Sequence, residues 1–168
     1  MRIYIPLTLS TLRQVVAARE VTAQGGVVFG VTDELREEYP DADDEELEYL
    51  AMSDAARACL RLLAAAPADE AQLRVVISAD VQTVVATPEL DRAAASIRGA
   101  VPWQQIASVH LDGAEASDVV REAVGMVDRA DLGDDDAEFV VGSAEDIALA
   151  WYAPGEVAYL IEDLDSAG

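Results

Sequence analysis

The stretch DEELEYLAMSDAARACLRLLAAAPADEAQLRVVISADV, residues 44–81, decides the fold. Apolar residues recur through its first part at intervals of three and four, which predicts a helix from about Asp44 to Ala66. Asp43 and Glu46 have the spacing of a capping box, which favours a helix start at this point. The run LRVVISADV, residues 73–81, then predicts a buried strand.

Further elements follow in both directions. Thr8 is placed to cap a helix that runs to about Glu20. Alternating apolar and polar residues or short apolar runs predict strands at residues 2–6, 27–31, 83–87, 95–101, 106–112, 138–141 and 148–153. For residues 148–153, a helical turn is the alternative. Apolar spacing and capping signals predict helices at residues 33–39, 112–130 and 156–164. We therefore expect an α+β fold with a single globular domain over residues 1–168, in which a mixed β-sheet of about five to six strands packs against three main helices.

Two residue types are absent, because the chain contains no lysine and no asparagine. Without lysine there is no Walker A phosphate loop and no Schiff-base or pyridoxal chemistry. No apolar run approaches the roughly 18 residues of a membrane-spanning helix. The first residues also lack the apolar run and cleavage site of a secretion signal, so we expect a cytoplasmic protein.

Cys59 and His110 are the single cysteine and the single histidine. One cysteine excludes an internal disulfide and the zinc sites that need two or more thiolates. Cys59 occupies a small-residue position of the long helix, which predicts a buried structural thiol. His110 lies between Val109 and Leu111 and shares a strand face with Asp112. A general base with its orienting carboxylate has this arrangement, and a surface or half-buried strand histidine is the alternative.

The formal net charge is −22, from 33 acidic and 11 basic residues. Phosphate contacts need clustered basic residues, so we expect no direct binding to nucleic acid or to an anionic membrane. A field of this sign attracts cations and basic protein surfaces. The candidate contacts for a basic partner are Asp43, Asp44, Glu45 and Glu46. Acidity that serves only solubility is the alternative interpretation.

The segment ADLGDDDAEF, residues 130–139, concentrates carboxylates, and oxygen atoms are the ligands that divalent cations prefer. It does not match the calcium loop, because Asp136 stands where that loop requires glycine. A site assembled from separate elements is one hypothesis. Its candidate metal ligands are Asp134, Asp136 and Glu138, together with Asp80 or Asp112. The interpretation that we favour is a solvated turn with no metal, and no other cofactor is predicted.

Two adjacent aromatic residues lie in LAWYAPGEV, residues 149–157. Large apolar side chains are usually buried, so we expect Trp151 in the core. Tyr152 points the opposite way on a strand and is a candidate partner contact, since amphipathic aromatic residues are enriched in interfaces.

Five segments follow one another in a specific order: MRIYIPLTLSTLR, EELEYLAMSDAARACLRLL, RVVISADV, ADLGDDDAEF and LAWYAPGEVAYLI. In this order they resemble a family of small acidic actinobacterial proteins known only as a domain of unknown function. The resemblance extends over nearly the whole chain. It implies a GC-rich bacterial cytoplasm but no activity, cofactor or site residue.

Two functional hypotheses follow. The preferred one is a non-catalytic interaction or regulatory protein whose acidic surface engages a basic partner. The alternative is a carboxylate-based, divalent-metal-dependent hydrolase that acts on a small polar or phosphorylated substrate, with His110 as its acid or base. Arg2, Arg74 and Arg98 would then bind an anion, and ion pairing is their alternative use.

Overall fold

The first strand of the chain lies at the centre of a seven-stranded sheet. The computed structural model describes residues 1–167. The strands are β1 (Arg2–Leu7), β2 (Glu20–Val21), β3 (Val27–Gly30), β4 (Val75–Asp80), β5 (Val85–Ala86), β6 (Ala94–Ser96), β7 (Val101–Pro102), β8 (Ile106–Leu111) and β9 (Ala150–Tyr152). Their order in the large sheet is β5-β6-β3-β1-β4-β8-β9, while β2 and β7 form a separate pair. Each of these pairs is antiparallel.

The helices cover both faces of this sheet. They are α1 (Leu9–Ala18), α2 (Asp33–Glu38), α3 (Asp44–Ala65), α4 (Ser117–Val124), α5 (Val127–Asp131), α6 (Asp135–Glu145) and α7 (Val157–Ala167). Short 3-10 turns precede β3, β8, α4 and α7. Within residues 1–167, no helix is both long enough and apolar enough to cross a bilayer.

Alternation along the strands divides the core into layers. Ile3 and Ile5 of β1 face α1 and α7, whereas Tyr4 faces α3. A neighbouring side of α3, including Leu60 and Leu63, packs against α4, α5 and α6. The long helix therefore joins the sheet to a small helical cluster, and Cys59 lies fully buried on it, as predicted.

Local capping explains where the first helices begin. The Thr8 hydroxyl accepts a hydrogen bond from the Thr11 N–H, and α1 starts at the next residue, as predicted. At α3, the Asp43 carboxylate accepts from the Glu46 N–H at 2.9 Å, and the Glu46 carboxylate accepts from the Asp43 N–H at 3.0 Å. The predicted capping box is confirmed.

The sheet differs from the expected one in pairing and in size. The expectation of a mixed sheet with five to six strands was wrong, because the large sheet has seven strands and is antiparallel. The apolar run at residues 95–101, expected as one strand, overlaps two short strands, β6 and β7, which belong to different sheets. Gly99, with φ +74°, lies between them and turns the chain away from the first sheet.

The helices of the second half also differ from the prediction. A helix that starts at Asp112 and runs to Ala130 was expected. Instead α4 starts at Ser117, and the chain breaks at Gly125 before α5. Asp112 does not cap this helix, because its carboxylate binds Arg74. The run at residues 138–141 was expected as a strand but lies within α6.

The acidic segment is a tight junction between two helices and not an open loop. Gly133, at φ +94°, donates its N–H to the Ala130 carbonyl, and the Asp134 N–H donates to the Arg129 carbonyl. These two bonds are the Schellman motif that ends α5. The Asp134 carboxylate then accepts from the Ala137 N–H at 2.9 Å and caps α6. Acidic side chains in the first turn of α6 favour its positive dipole end.

Candidate functional site

A hollow of about 370 Å³ lies between α3, β8 and the connection from α6 to β9. We call it the His110 hollow. Apolar side chains on its wall include Met52, Ala56 and Leu149, and Tyr49 stands at its edge. Its polar lining residues include Arg74, His110, Glu145 and Asp146. Apolar walls with a few convergent polar groups are typical of a binding site.

A row of polar side chains crosses the sheet on the side that faces α3. Tyr4 on β1 pairs in register with Ser78 on β4, which pairs with Ser108 on β8. The two serine hydroxyls form a hydrogen bond with each other. The Ser108 Oγ is 2.9 Å from the His110 Nε2, within hydrogen-bond distance. The polar row thus leads from the centre of the sheet to the His110 hollow.

His110 does not form the predicted pair with Asp112. Its ring contacts Ser108, whereas the Asp112 carboxylate is engaged by Arg74. Burial lowers the pKa of the imidazole, and the positive charge of Arg2 lowers it further. His110 is therefore neutral at neutral pH and is suited to hydrogen bonding instead of ion pairing.

Arg74 and Asp112 form a buried ion pair behind the hollow. The Arg74 Nε and Nη2 donate to the two Asp112 oxygens at 2.8 Å each. The same guanidinium donates to the carbonyls of Ala144 and Ile147 at 2.9 Å. These bonds fix the end of α6 and the connection that leads into β9. The interpretation of Arg74 as an ion-pairing residue is confirmed, and so is that of Arg2, which pairs with Asp80.

Exposed aromatic side chains border the hollow. Tyr49 on α3 is 69% exposed, and Trp151 on β9 is 61% exposed. Trp151 pairs in register with His110, so the two side chains share a sheet face. The expectation that Trp151 lies in the core was wrong. Tyr152 is half-buried and packs on the core, because β9 points its side chain to the opposite face.

A second hollow adjoins the first along α3. It is lined by Tyr39, Ala42, Asp43, Glu45, Glu46, Tyr49 and Leu50, and Tyr49 is common to both hollows. We call it the Glu45 hollow. The two hollows share Tyr49 and together run from the start of α3 to the connection before β9.

The predicted partner contacts occupy different local environments at the start of α3. Asp43 and Glu46 use their carboxylates in the capping box. Asp44 pairs with Arg36 at 2.9 Å and remains largely exposed. Glu45 is exposed on the wall of the Glu45 hollow, so it is the member of this group best placed to meet a partner.

The predicted metal ligands are not brought together. Asp80 pairs with Arg2, and Asp134 caps α6. Glu138 binds Arg57, and this guanidinium lowers the pKa of its carboxyl. Asp136 lies exposed in the first turn of α6. Across the described chain, residues 1–167, no three His, Cys, Asp or Glu side chains form a cluster that would hold a metal.

Arg57 explains why this acidic segment is held against α3. Its guanidinium contacts Asp131, Glu138 and Glu145, and Arg61 contacts Asp131 as well. Both arginines lie on α3, four positions apart, and therefore on one helix face. The segment thus has a structural use that its sequence did not reveal.

Sequence reasoning missed Tyr49, Met52 and Leu149 as site residues. Tyr49 lies outside the apolar stripe of α3, and a large aromatic residue on the solvent side of a helix was the available signal. Met52 and Leu149 belong to segments that are far apart in the sequence, so their proximity depends on the tertiary fold.

The model of a family of unknown function (DUF6912) matches residues 1–161. The chain belongs to this family. The DUF6912 match includes every strand and both hollows. No curated protein and no solved structure matches the chain.

Proposed function

We propose that this protein is a non-catalytic interaction module that binds a basic segment of a partner protein. The binding surface comprises both hollows and the aromatic residues on their borders. We call it the acidic aromatic band. Its defining residues are Tyr39, Glu45, Tyr49, Met52, Asp146, Leu149 and Trp151.

The observation that carries this proposal is the exposure of Tyr49 and Trp151 beside unpaired carboxylates. Glu45 and Asp146 line the hollows next to these rings, and no ion pair engages either carboxylate among residues 1–167. An arginine side chain gains from both features, because its guanidinium stacks on aromatic faces and pairs with carboxylates.

The alternative of a metal-dependent hydrolase has less support. The carboxylates that it requires cap a helix or bind arginines, at Asp134, Glu138 and Asp80. His110 contacts a serine and lies apart from those residues along the chain. These contacts favour the interaction role.

A defined peptide tests the proposal. The probe is an acetylated and amidated peptide of four Arg-Val repeats, which combines positive charge with an extended apolar character. Binding is measured by isothermal titration calorimetry at two salt concentrations. Replacing Tyr49 and Trp151 by alanine is expected to weaken binding about tenfold or more. Aromatic side chains that a partner covers on binding contribute most of the binding energy of an interface.

A matched control uses two exposed aromatic residues elsewhere. Phe139 on α6 and Tyr159 on α7 are 80% and 71% exposed, and neither lines the hollows. The Phe139→Ala/Tyr159→Ala variant is expected to bind the peptide as the unmodified protein does. Equal binding by both double variants, or equal loss, would contradict the proposed surface.

A charge-matched comparison separates local from global attraction. Glu45→Gln with Asp146→Asn removes two charges from the band, and Glu162→Gln with Asp163→Asn removes two from α7. The first pair is expected to weaken binding more and to reduce its salt dependence. Equal effects would show that the peptide responds only to net charge.

A further inference from the structure

We propose that the basic segment binds as an added β-strand along β9. This inference rests on the proposed function and specifies how the partner is held. β9 is at the end of the large sheet and, within residues 1–167, has β8 as its one partner strand. An edge strand presents unpaired backbone N–H and C=O groups that another chain can pair with.

The edge is held in place before any partner arrives. Arg74, which is almost fully buried, donates hydrogen bonds to the carbonyls of Ala144, in the last turn of α6, and Ile147, in the connection that leads to β9. On the other side of β9, the Glu156 carboxylate accepts a hydrogen bond from the Ala153 N–H at 3.0 Å. A fixed edge lowers the ordering cost of strand addition.

The side-chain alternation of β9 connects this edge to the His110 hollow. Trp151 lies on the α3 side of the sheet beside His110, and Tyr152 lies on the core side. Every second side chain of an added strand would therefore share the sheet face of Trp151, the α3 side on which the hollow lies. The other edge strand, β5, contains Val85 and Ala86, and neither residue lines the His110 hollow or the Glu45 hollow.

The negative charge of the chain indicates which kind of partner this edge would bind. A second copy of the chain would carry another net charge of −22, which opposes pairing between copies. A basic peptide meets Asp146 before the strand and the exposed Trp151 within it. The edge is therefore suited to an extended, basic segment of another protein.

Alternating backbone methylation tests strand addition directly. Two versions of the Arg-Val peptide are prepared, one N-methylated at every valine and the other at every arginine. An added strand directs the amides of alternate residues toward its neighbour and the others toward solvent. One methylated peptide should therefore bind within about threefold of the parent, while the other loses at least about tenfold.

The outcomes separate this inference from the proposed function. Strand addition is overturned if both methylated peptides bind as the parent does, or if both lose binding. In either case, binding of the parent peptide still supports the interaction surface. Failure of the parent peptide to bind overturns both proposals.

Amide hydrogen exchange of the 15N-labelled protein gives the location. The parent peptide should slow exchange within β9 and leave Val85 and Ala86 unchanged. Slowing at Val85 and Ala86 with no change in β9 would assign the peptide to the other edge and overturn the proposal.

Discussion

Arg74 and Asp112 are the pair of opposite charges most completely removed from solvent among residues 1–167. Their side chains are 2% and 0% exposed. The Asp112 carboxylate accepts three hydrogen bonds, from the Arg74 backbone N–H and from its guanidinium. A buried charge that loses its partner is costly, because water cannot replace the missing interaction.

Replacing Asp112 by alanine should therefore lower the free energy of unfolding by about 3–5 kcal/mol. The control is Asp118→Ala, which breaks the exposed pair with Arg121 and should cost less than about 1 kcal/mol. Urea unfolding monitored by circular dichroism measures both. Similar losses in the two variants would contradict the importance of burial.

His110 should make stability depend on pH. Its pKa is lowered in the folded protein, first by burial and then by Arg2, so the unfolded chain binds the proton more readily. This contribution to stability is complete above the unfolded pKa of about 6.5 and is lost as pH falls toward the lower folded pKa.

The His110→Gln variant removes this titration. Its free energy of unfolding should decline less than that of the unmodified protein between about pH 7.5 and pH 5.5 at constant ionic strength. Equal declines would assign the pH dependence to other groups.

At the scale of elements, two glycines near α5 have opposite roles. Gly125 has φ −67° and lies between α4 and α5, and an added Cβ would meet the Glu122 carbonyl at an ordinary 3.5 Å. Gly133 has φ +94°, where a side chain is strained. One position tolerates alanine and the other requires glycine.

Gly125→Ala should stabilise the protein by about 0.4–1 kcal/mol, because it restricts the unfolded chain without straining the folded one. Gly133→Ala should destabilise it by about 1 kcal/mol or more. Both values come from urea unfolding. A destabilised Gly125→Ala protein would mean that the break between α4 and α5 needs the freedom of glycine.

Elements with local signals were the ones that the sequence predicted best. Thr8 and the Asp43–Glu46 capping box act within three residues of each helix start, and both helices begin where expected. Asp112 and Glu115 have similar spacing, yet Arg74, which directly precedes the distant strand β4, binds the carboxylate of Asp112. A contact of this kind has no local signature.

The same distinction applies to the candidate site. His110 was recognised from its residue type. Trp151 and Tyr152 were recognised as a pair, but the prediction placed Trp151 in the core and Tyr152 at the surface, which is the reverse of what the structure has. The register of β9 against β8 decides which ring is exposed, and the sequence does not encode that register locally. The partners of Asp134 and Glu138 likewise depend on the packing of α5 and α6 on α3.

At the scale of the whole molecule, net charge opposes compactness. The chain has 33 acidic residues and 11 basic ones, so most carboxylates have no arginine available to them. Repulsion among these carboxylates destabilises the folded state, and dissolved salt screens it.

The midpoint of thermal unfolding should therefore rise between about 20 mM and about 500 mM NaCl at neutral pH. Differential scanning calorimetry measures it. A falling midpoint would mean that the arginine ion pairs contribute more to stability than the remaining repulsion removes.

The central position of β1 has a consequence for synthesis on the ribosome. β1 is translated before its neighbour β4, which begins at Val75 and extends the sheet toward β8 and β9. At about 5–20 residues per second, β1 waits several seconds for this neighbour to be translated. During that time one side of an apolar strand is uncovered, so a growing chain is expected to need protection by chaperones until β4 emerges.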